Sequence, residues 1–180
     1  MKGEMVRQGD LLGSDVGAVF SDCGKYRYRL WRRWNDRLPT LAFLMLNPSI
    51  AGEVQNDPTV TRCIKRAQLG GFGSLEVVNL FALVSTDPQA LYNPDVDPVG
   101  PENDAAIAEV ARAAGQLVCA WSNHGRHLGR EGHVMNLLNG IGVTPHVLML
   151  KKDGTPRHPL YVSYKEKPKV WRPAEPAGQR

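Results

Sequence analysis

The stretch from residue 41 to residue 67 limits the possible folds more than any other part of this 180-residue chain. Residues 41–46 form a continuous apolar run of strand length, and residues 47–56 are a polar loop. Asp57 and Pro58 are the residue types of a helix N-cap and a first helical position, so a helix is predicted over 58–69. A buried strand, a loop and a helix N-terminus in this order are typical of sites for anionic or nucleotide-like ligands, because free backbone N–H groups face the loop.

The same alternation continues along the chain. Apolar runs at 75–80, 117–121 and 146–150 predict further strands, and periodic patterns at 102–114 and 131–138 predict further helices. Alternating strands and helices favour a parallel sheet with helices on both faces. We therefore predict an α/β protein, a three-layer α/β/α fold with a central four-stranded parallel sheet.

An N-terminal β-hairpin is predicted to precede this sheet, with arms at 16–20 and 26–34 and Gly24 in the turn. Alternation in the second arm separates Tyr26, Tyr28 and Leu30 from Arg27, Arg29, Trp31 and Arg33. The basic, aromatic face could lie along a nucleic-acid backbone, with Trp31 stacking on a base. The alternative, which the pattern favours, is an edge hairpin whose arginines keep it in solution.

The composition fits one globular domain, since 42% of the residues are hydrophobic and 22% are charged. We predict a single α/β domain over 1–165 with little pattern and fraying in residues 1–15. Residues 166–180, rich in Lys, Pro, Glu and Gly, are predicted to be a flexible tail.

Membrane and secreted proteins are the classes that the sequence argues against. No apolar stretch reaches the length of about 18 residues that a membrane span needs, and the N-terminus lacks the apolar core of a signal peptide. We expect a cytoplasmic protein with reduced thiols, and Cys63 and Cys119 lie in apolar segments typical of a core. The net charge of +4 permits a nucleic acid or nucleotide partner without requiring one. The oligomeric state is not predicted.

Polar residues follow each predicted strand, and in a parallel sheet the carboxyl ends of the strands meet at one edge, where ligands bind. The residues of chemical interest at this edge are Asn47, Asp57, Asn79, His124, His127, Arg157 and His158. Their convergence is the strongest inference that the pattern allows.

Two asparagines stand out among them. Asn47, before Pro48 and Ser49, could orient a water molecule or a ligand oxygen, or the Asn-Pro pair could simply form a turn. Asn79 lies in an apolar strand, where its amide could pair with a neighbouring loop or read the donor and acceptor edge of a nucleobase. Phe81 directly follows this strand.

The loop at 151–159 is the second candidate region. His158 could donate to a developing oxyanion, and Arg157 with two lysines suits a phosphate, although a solvated basic turn is the alternative. His124 and His127 lack a Cys or carboxylate partner at ligand spacing, so we expect no metal and no cofactor.

Two family resemblances rest on these motifs. LNPS, NDPT, VVNLFA, CAW and GTPRHPLY together resemble an uncharacterised bacterial domain family of unknown function, over about 26–162. The same landmarks are similar to the uracil-DNA glycosylase superfamily, in particular its mismatch-specific branch, across about 120 residues.

The glycosylase resemblance implies a role for each matching residue. Asn47 would position the hydrolytic water, Asn79 would read the base edge, and His158 would stabilise the departing base. Asp57 would be a second water-orienting group, or only the helix N-cap. The implied substrate-binding residues are Pro48, Ser49, Asn79, Phe81, His124 and Arg157.

Three departures from the glycosylase motifs bear on activity. Met45 and Leu46 stand where the glycosylase motif has Gly before its Asn, which would narrow a base pocket. Ser49 replaces the Gly that closes the motif, and Leu160 replaces a phosphate-binding serine. The leading hypothesis is hydrolysis of a nucleobase N-glycosidic bond in DNA or a nucleotide derivative. The alternative is a non-catalytic nucleotide- or nucleic-acid-binding module of the same fold.

Overall fold

A computed structural model describes residues 4–11, 14–49 and 55–173 of the chain. Its regular elements are eight strands and three α-helices, in the order β1 (Glu4–Leu11), β2 (Ser14–Ser21), β3 (Arg27–Arg33), β4 (Thr40–Met45), α1 (Pro58–Leu69), β5 (Ser74–Asn79), α2 (Asn103–Ala113), β6 (Gln116–Cys119), α3 (Arg130–Gly140), β7 (Pro145–Val147) and β8 (Lys169–Val170). Short 3₁₀ helices occur at Pro88–Tyr92, His127–Gly129 and Pro159–Tyr161.

All eight strands join one mixed sheet in the order β1-β2-β3-β5-β4-β6-β7-β8. Strand β4 pairs parallel with both β5 and β6, and β6 pairs parallel with β7. The remaining pairs, β1–β2, β2–β3, β3–β5 and β7–β8, are antiparallel. The fold is α/β as predicted, but the sheet is twice as wide as the predicted four strands because antiparallel strands extend both sides.

Helices cover both faces of the sheet. Consecutive residues of a strand point to opposite faces, so a central strand packs against helices on both sides. Leu41, Phe43 and Met45 of β4 pack in one cluster with Val60, Cys63 and Ala67 of α1. Ala42 and Leu44 of β4 pack in a second cluster with residues of α2 and α3. Cys63 and Cys119 are fully buried, which confirms their predicted place in the core.

Helix α1 has the predicted bounds and the predicted cap. The Val60 N–H donates to Oδ1 of Asp57 over 2.7 Å, and Pro58 occupies the first turn, where no N–H partner is needed. The chain leaves the helix through Gly70 and Gly71, and Gly71 has a φ of +79° that L-residues avoid.

Strands β2 and β3 form the predicted hairpin, with Gly24 at a φ of +71° in its turn. The pairing register changes between Phe20, opposite Arg27, and Val19, opposite Arg29. Tyr28 is therefore an extra residue, a β-bulge that reverses the facing of the residues before it. The predicted alternation, with Arg27 on the same face as Arg29, is wrong for this reason.

The hairpin is not at the sheet edge, so the edge interpretation is wrong, and buried Trp31 is not available to stack on a base. It lies between β1 and β5. Trp31 is only 5% exposed, and its indole N–H donates to Asp15. Arg29 and Arg33 both pair with Glu76 of β5.

Described parts of both terminal segments lie in strands that the pattern does not predict. Residues 4–11, predicted to fray, form β1 on the edge of the sheet. Within the predicted flexible tail, β8 pairs with β7 and Trp171 is buried against Trp121. Residues 174–180 lie outside the described residues. In the described ranges, no helix is long and apolar enough to cross a membrane.

Candidate functional site

The carboxyl edge of the parallel strands holds the candidate site. From β4 the chain passes through α1 to β5 on one side of β4, and from β5 it passes through α2 to β6 on the other side. The strand order thus reverses between β4 and β6. In open α/β sheets a crevice forms at the carboxyl ends of the strands at such a switch point, and ligands bind there.

Asn47 lies at the end of β4 and holds two loops together. Its Nδ2 donates to the carbonyl of Ser85 over 2.9 Å and lies within 3.5 Å of the carbonyl of Leu83. The Ser85 N–H in turn donates to the carbonyl of buried Pro48. The amide nitrogen of Asn47 is committed to backbone contacts, which leaves its carbonyl oxygen, Oδ1, for a water molecule or ligand.

Asp57 connects the β4 loop to the start of α1. Its Oδ2 accepts from the hydroxyl of Ser49 over 2.8 Å, while its Oδ1 accepts from the Val60 N–H. The helix-cap interpretation of Asp57 is confirmed. Ser49 is therefore part of the framework beside the site.

Two buried arginines lie near Asp57, and neither was identified as a site residue from the sequence. Arg27 and Arg32 are 4% and 2% exposed. Burial has the largest effect on the pKa of Arg27 and lowers it. The charge of Asp57 raises this pKa and the charge of Arg32 lowers it, and the net result is a pKa of about 10. The Nε of Arg32 donates to Asn56, next to Asp57, over 2.8 Å. The bulge at Tyr28 turns Arg27 inward, and no periodic pattern in the sequence reveals a bulge.

Asn79 closes β5 on the face that carries α1. It is opposite Met45 of β4, and it follows Leu75 and Val77, which pack against α1. The residue is 2% exposed. Its backbone carbonyl accepts from Asn103, but among the described residues no group hydrogen-bonds its side-chain amide. Neither polar atom of this amide is fully closed off from solvent, so both remain accessible to a polar group of a ligand.

His158 is half-buried at the N-terminus of the last 3₁₀ helix. Its Nδ1 accepts from the Leu160 N–H over 3.3 Å, which places the proton of the neutral ring on Nε2. Burial lowers the pKa of His158, and the negative charge of Asp57 opposes this shift. At neutral pH the ring is therefore an uncharged donor within the electrostatic reach of Asp57.

Helix α1 fixes the segment that follows His158. Arg62 donates to the carbonyls of Pro159 and Val162, and Arg66 donates to those of Val162, Ser163 and Glu166. The guanidinium of Arg62 also lies 4.3 Å from the ring centre of Tyr164. The helix that Asp57 caps thus also anchors the segment that directly follows His158.

Arg157 lines an open cavity of about 480 Å³ at the carboxyl ends of β6 and β7, which we call the basic groove. Its lining residues are Ser122, Asn123, Lys151, Lys152, Asp153, Arg157 and Tyr161. Tyr161, which sequence reasoning overlooked, is 68% exposed and follows His158 by three positions. The signal available in the sequence was an aromatic residue three positions after a candidate histidine.

Two predicted substrate-binding residues lie apart from this cluster. Phe81 is completely buried in the core with α2 and α3, so it offers no surface to a ligand in this conformation. His124 pairs through Nδ1 with the hydroxyl of Tyr92 at 2.9 Å, on the loop that follows β6. Within the described ranges, no three His, Cys, Asp or Glu side chains are grouped to hold a metal ion.

The chain belongs to a family of proteins of unknown function, DUF1643, whose model matches residues 27–160. This match runs from the start of β3 to Leu160 and confirms the resemblance to an uncharacterised domain family. No curated protein and no solved structure matches the chain at a significant level.

Proposed function

We propose that this protein hydrolyses the N-glycosidic bond of a nucleobase, in DNA or in a nucleotide derivative, on a three-layer α/β/α fold of the uracil-DNA glycosylase type. The base would enter the crevice between the ends of β4 and β6 and the N-terminus of α1. A base in a polymer must leave its stack to reach such a crevice.

The observation that carries the proposal is the side-chain amide of Asn79. Its carbonyl and NH₂ groups are a matched acceptor and donor on one plane, as are the edges of a nucleobase. The side chain is buried at the end of a central strand and has no partner among the described residues. A position at the end of a strand, rather than on a loop, also favours precise placement of a recognition group.

His158 would stabilise the leaving base. When the bond from the base to the sugar carbon breaks, the electron pair departs with the base, which becomes anionic. The Nε2–H of neutral His158 can donate to that charge. The lowered pKa favours the neutral ring, whose single N–H is at Nε2 because Nδ1 accepts from the Leu160 N–H.

Asn47 would orient the water that attacks the sugar carbon. Its Oδ1 is the acceptor left over once Nδ2 is bound to the loop after β5. An amide is a very weak base, so bond breaking must run ahead of water attack, and the water proton passes to solvent after the new C–O bond forms. Asp57 contributes its charge, which stabilises positive charge on the sugar.

Base release from labelled oligonucleotides tests the proposal. The substrates would carry uracil, mismatched thymine, hypoxanthine or oxidised bases, and Asn79→Ala, His158→Gln and Asn47→Ala would be compared with wild type. We expect release by the wild type and a loss of about 10²–10³-fold in rate for His158→Gln, the usual effect of removing one such donor. Asn139→Ala, at an exposed position on α3, is the control and should release the base at the wild-type rate.

A rival function is a non-catalytic module that binds a nucleotide or nucleic acid. The basic groove and the structural use of the Asn47 amide favour it. In that case no substrate in the panel would lose its base, and Asn47→Ala would leave binding intact. Substitution of Lys152 and Arg157 would then weaken binding, and this weakening would depend on salt.

A further inference from the structure

We infer that the basic groove binds single-stranded nucleic acid, with phosphates at Lys152 and Arg157 and one base stacked on Tyr161. This inference deepens the proposed function, because it names the polymer and its strandedness for the same edge of the sheet. Asn79 does not line the groove, which would hold the strand that flanks the reacting nucleotide.

The walls of the groove are fixed by backbone hydrogen bonds. The Ser122 N–H donates to the carbonyl of Pro156 over 2.8 Å and joins the loop after β6 to the loop after β7. Within the second loop, the Lys151 N–H donates to the carbonyl of Thr155 over 2.8 Å. A cavity of about 480 Å³ with such walls is within the range of preformed ligand sites, and it is large enough for a nucleotide.

The positively charged side chains in the groove differ in whether they have a polar partner. Lys151 is occupied, since it hydrogen-bonds Asn123 and lies 3.7 Å from Asp153. Lys152 and Arg157 form no ion pair within the described part of the chain. Three cations and one carboxylate line the cavity, so the groove has an excess of positive charge where it is open to solvent. Phosphodiester groups are the polyanions that fit such a surface.

Tyr161 supplies the aromatic surface. Its side chain is 68% exposed, although the 3₁₀ helix that carries it is held by Arg62. The ring lies 5.9 Å from that of His158, so a base stacked on Tyr161 would be next to the proposed catalytic edge. Stacking on an aromatic side chain is available to any base and needs no sequence readout.

The exposed ring also selects against a duplex. In double-stranded DNA both faces of each base are covered by neighbouring base pairs, whereas a single strand can present a free face. A single exposed aromatic residue at the rim of a cationic groove therefore favours single strands.

Fluorescence anisotropy with a labelled oligothymidylate of about 12 nucleotides, in the range of known single-strand sites, tests this inference on the full chain. Tyr161→Ala should weaken binding roughly 5- to 150-fold, as stacking of one base implies, and Tyr161→Phe should restore it. Lys152→Gln with Arg157→Gln should reduce the slope of log affinity against log salt by about 1.4, at about 0.7 per phosphate contact. The matched control is Lys65→Gln with Arg112→Gln, an equal charge change at exposed positions on α1 and α2.

Equal losses from the control pair, or full binding by Tyr161→Ala, would overturn the inference. Equal affinity for a duplex of the same sequence would also overturn it, as would complete competition by micromolar thymidine monophosphate.

Failure of the proposed function would give a different result. In that case the oligonucleotide binds with the predicted variant effects, but no base is released from any substrate. All four substituted residues in the two pairs and Tyr161 lie at the surface, and circular dichroism would confirm that each variant is folded.

Discussion

At the scale of single residues, Asp57 joins the framework and the chemistry of the site. One oxygen caps α1 and the other binds Ser49, so the carboxylate is held in one place. Its charge acts on Arg27 and on His158, which lie on different parts of the chain. Asp57, which the sequence predicts to be a helix cap, therefore also influences the charge state of two other residues at the candidate site.

The pH dependence of stability should report on His158. Burial lowers its pKa below the ordinary value of 6.5, so the unfolded state binds the proton more readily than the folded state. We expect the contribution of His158 to the free energy of unfolding to decrease as the pH falls below 6.5. Urea titrations at a series of pH values would show a shallower decrease for His158→Gln than for wild type.

Titration of His158 by NMR would measure the same shift directly. Asp57→Asn removes the charge that raises the pKa, so the pKa of His158 should fall further in that variant. A His158 pKa at or above 6.5 in the wild type, or one that rises in Asp57→Asn, would contradict the assigned environment.

At the scale of elements, the close packing of β2 on β3 depends on a glycine. A Cβ built on Gly17 would lie 2.2 Å from Cζ2 of Trp31, whose ring is buried and held by Asp15. Gly132 in α3 is the opposite case, because no atom lies within 4 Å of a Cβ built there.

These two glycines should respond to alanine in opposite directions. We expect Gly17→Ala to destabilise the fold by about 1–3 kcal/mol through overpacking. Gly132→Ala should stabilise it by up to about 1 kcal/mol, since alanine is the better helix former. Urea unfolding of both variants provides the measurement. A neutral Gly17→Ala would mean that the Trp31 ring is mobile.

The elements also show which features the sequence makes predictable. The N-cap at Asp57 and the bounds of α1 follow from local chemistry, and the structure has them as predicted. Strand β8 is only two residues long, and its pairing with β7 depends on tertiary contact. The buried positions of Arg27 and Phe81 also depend on tertiary contact, which local patterns do not encode.

At the scale of the whole molecule, one carboxylate connects the antiparallel and parallel parts of the sheet. Glu76 of β5 pairs with Arg29 and Arg33 of β3, and its side chain is 9% exposed. Arg29 also pairs with Glu109 of α2, whose side chain is 68% exposed. The same arginine thus has one buried and one exposed partner.

Removal of each partner should therefore have unequal effects. Glu76→Gln leaves two arginines without their buried counter-charge and should cost about 3 kcal/mol of stability. Glu109→Gln removes an exposed partner and should cost less than about 1 kcal/mol. Thermal or urea unfolding of the two variants makes the comparison. Equal costs would show that burial of Glu76 does not govern its contribution.

The strand order has a consequence for the protein as it emerges from the ribosome. Strand β3 is made early, but its partner β5 comes much later, and Arg29 and Glu76 are 47 positions apart in the chain. Until β5 is available, one edge of β3 has open backbone groups that can pair with another nascent chain. Four of the seven residues of β3 are arginines, and their mutual repulsion would keep such chains apart during synthesis. After folding, Glu76 pairs with two of these arginines, so the same side chains that separate nascent chains later bind a partner within the sheet.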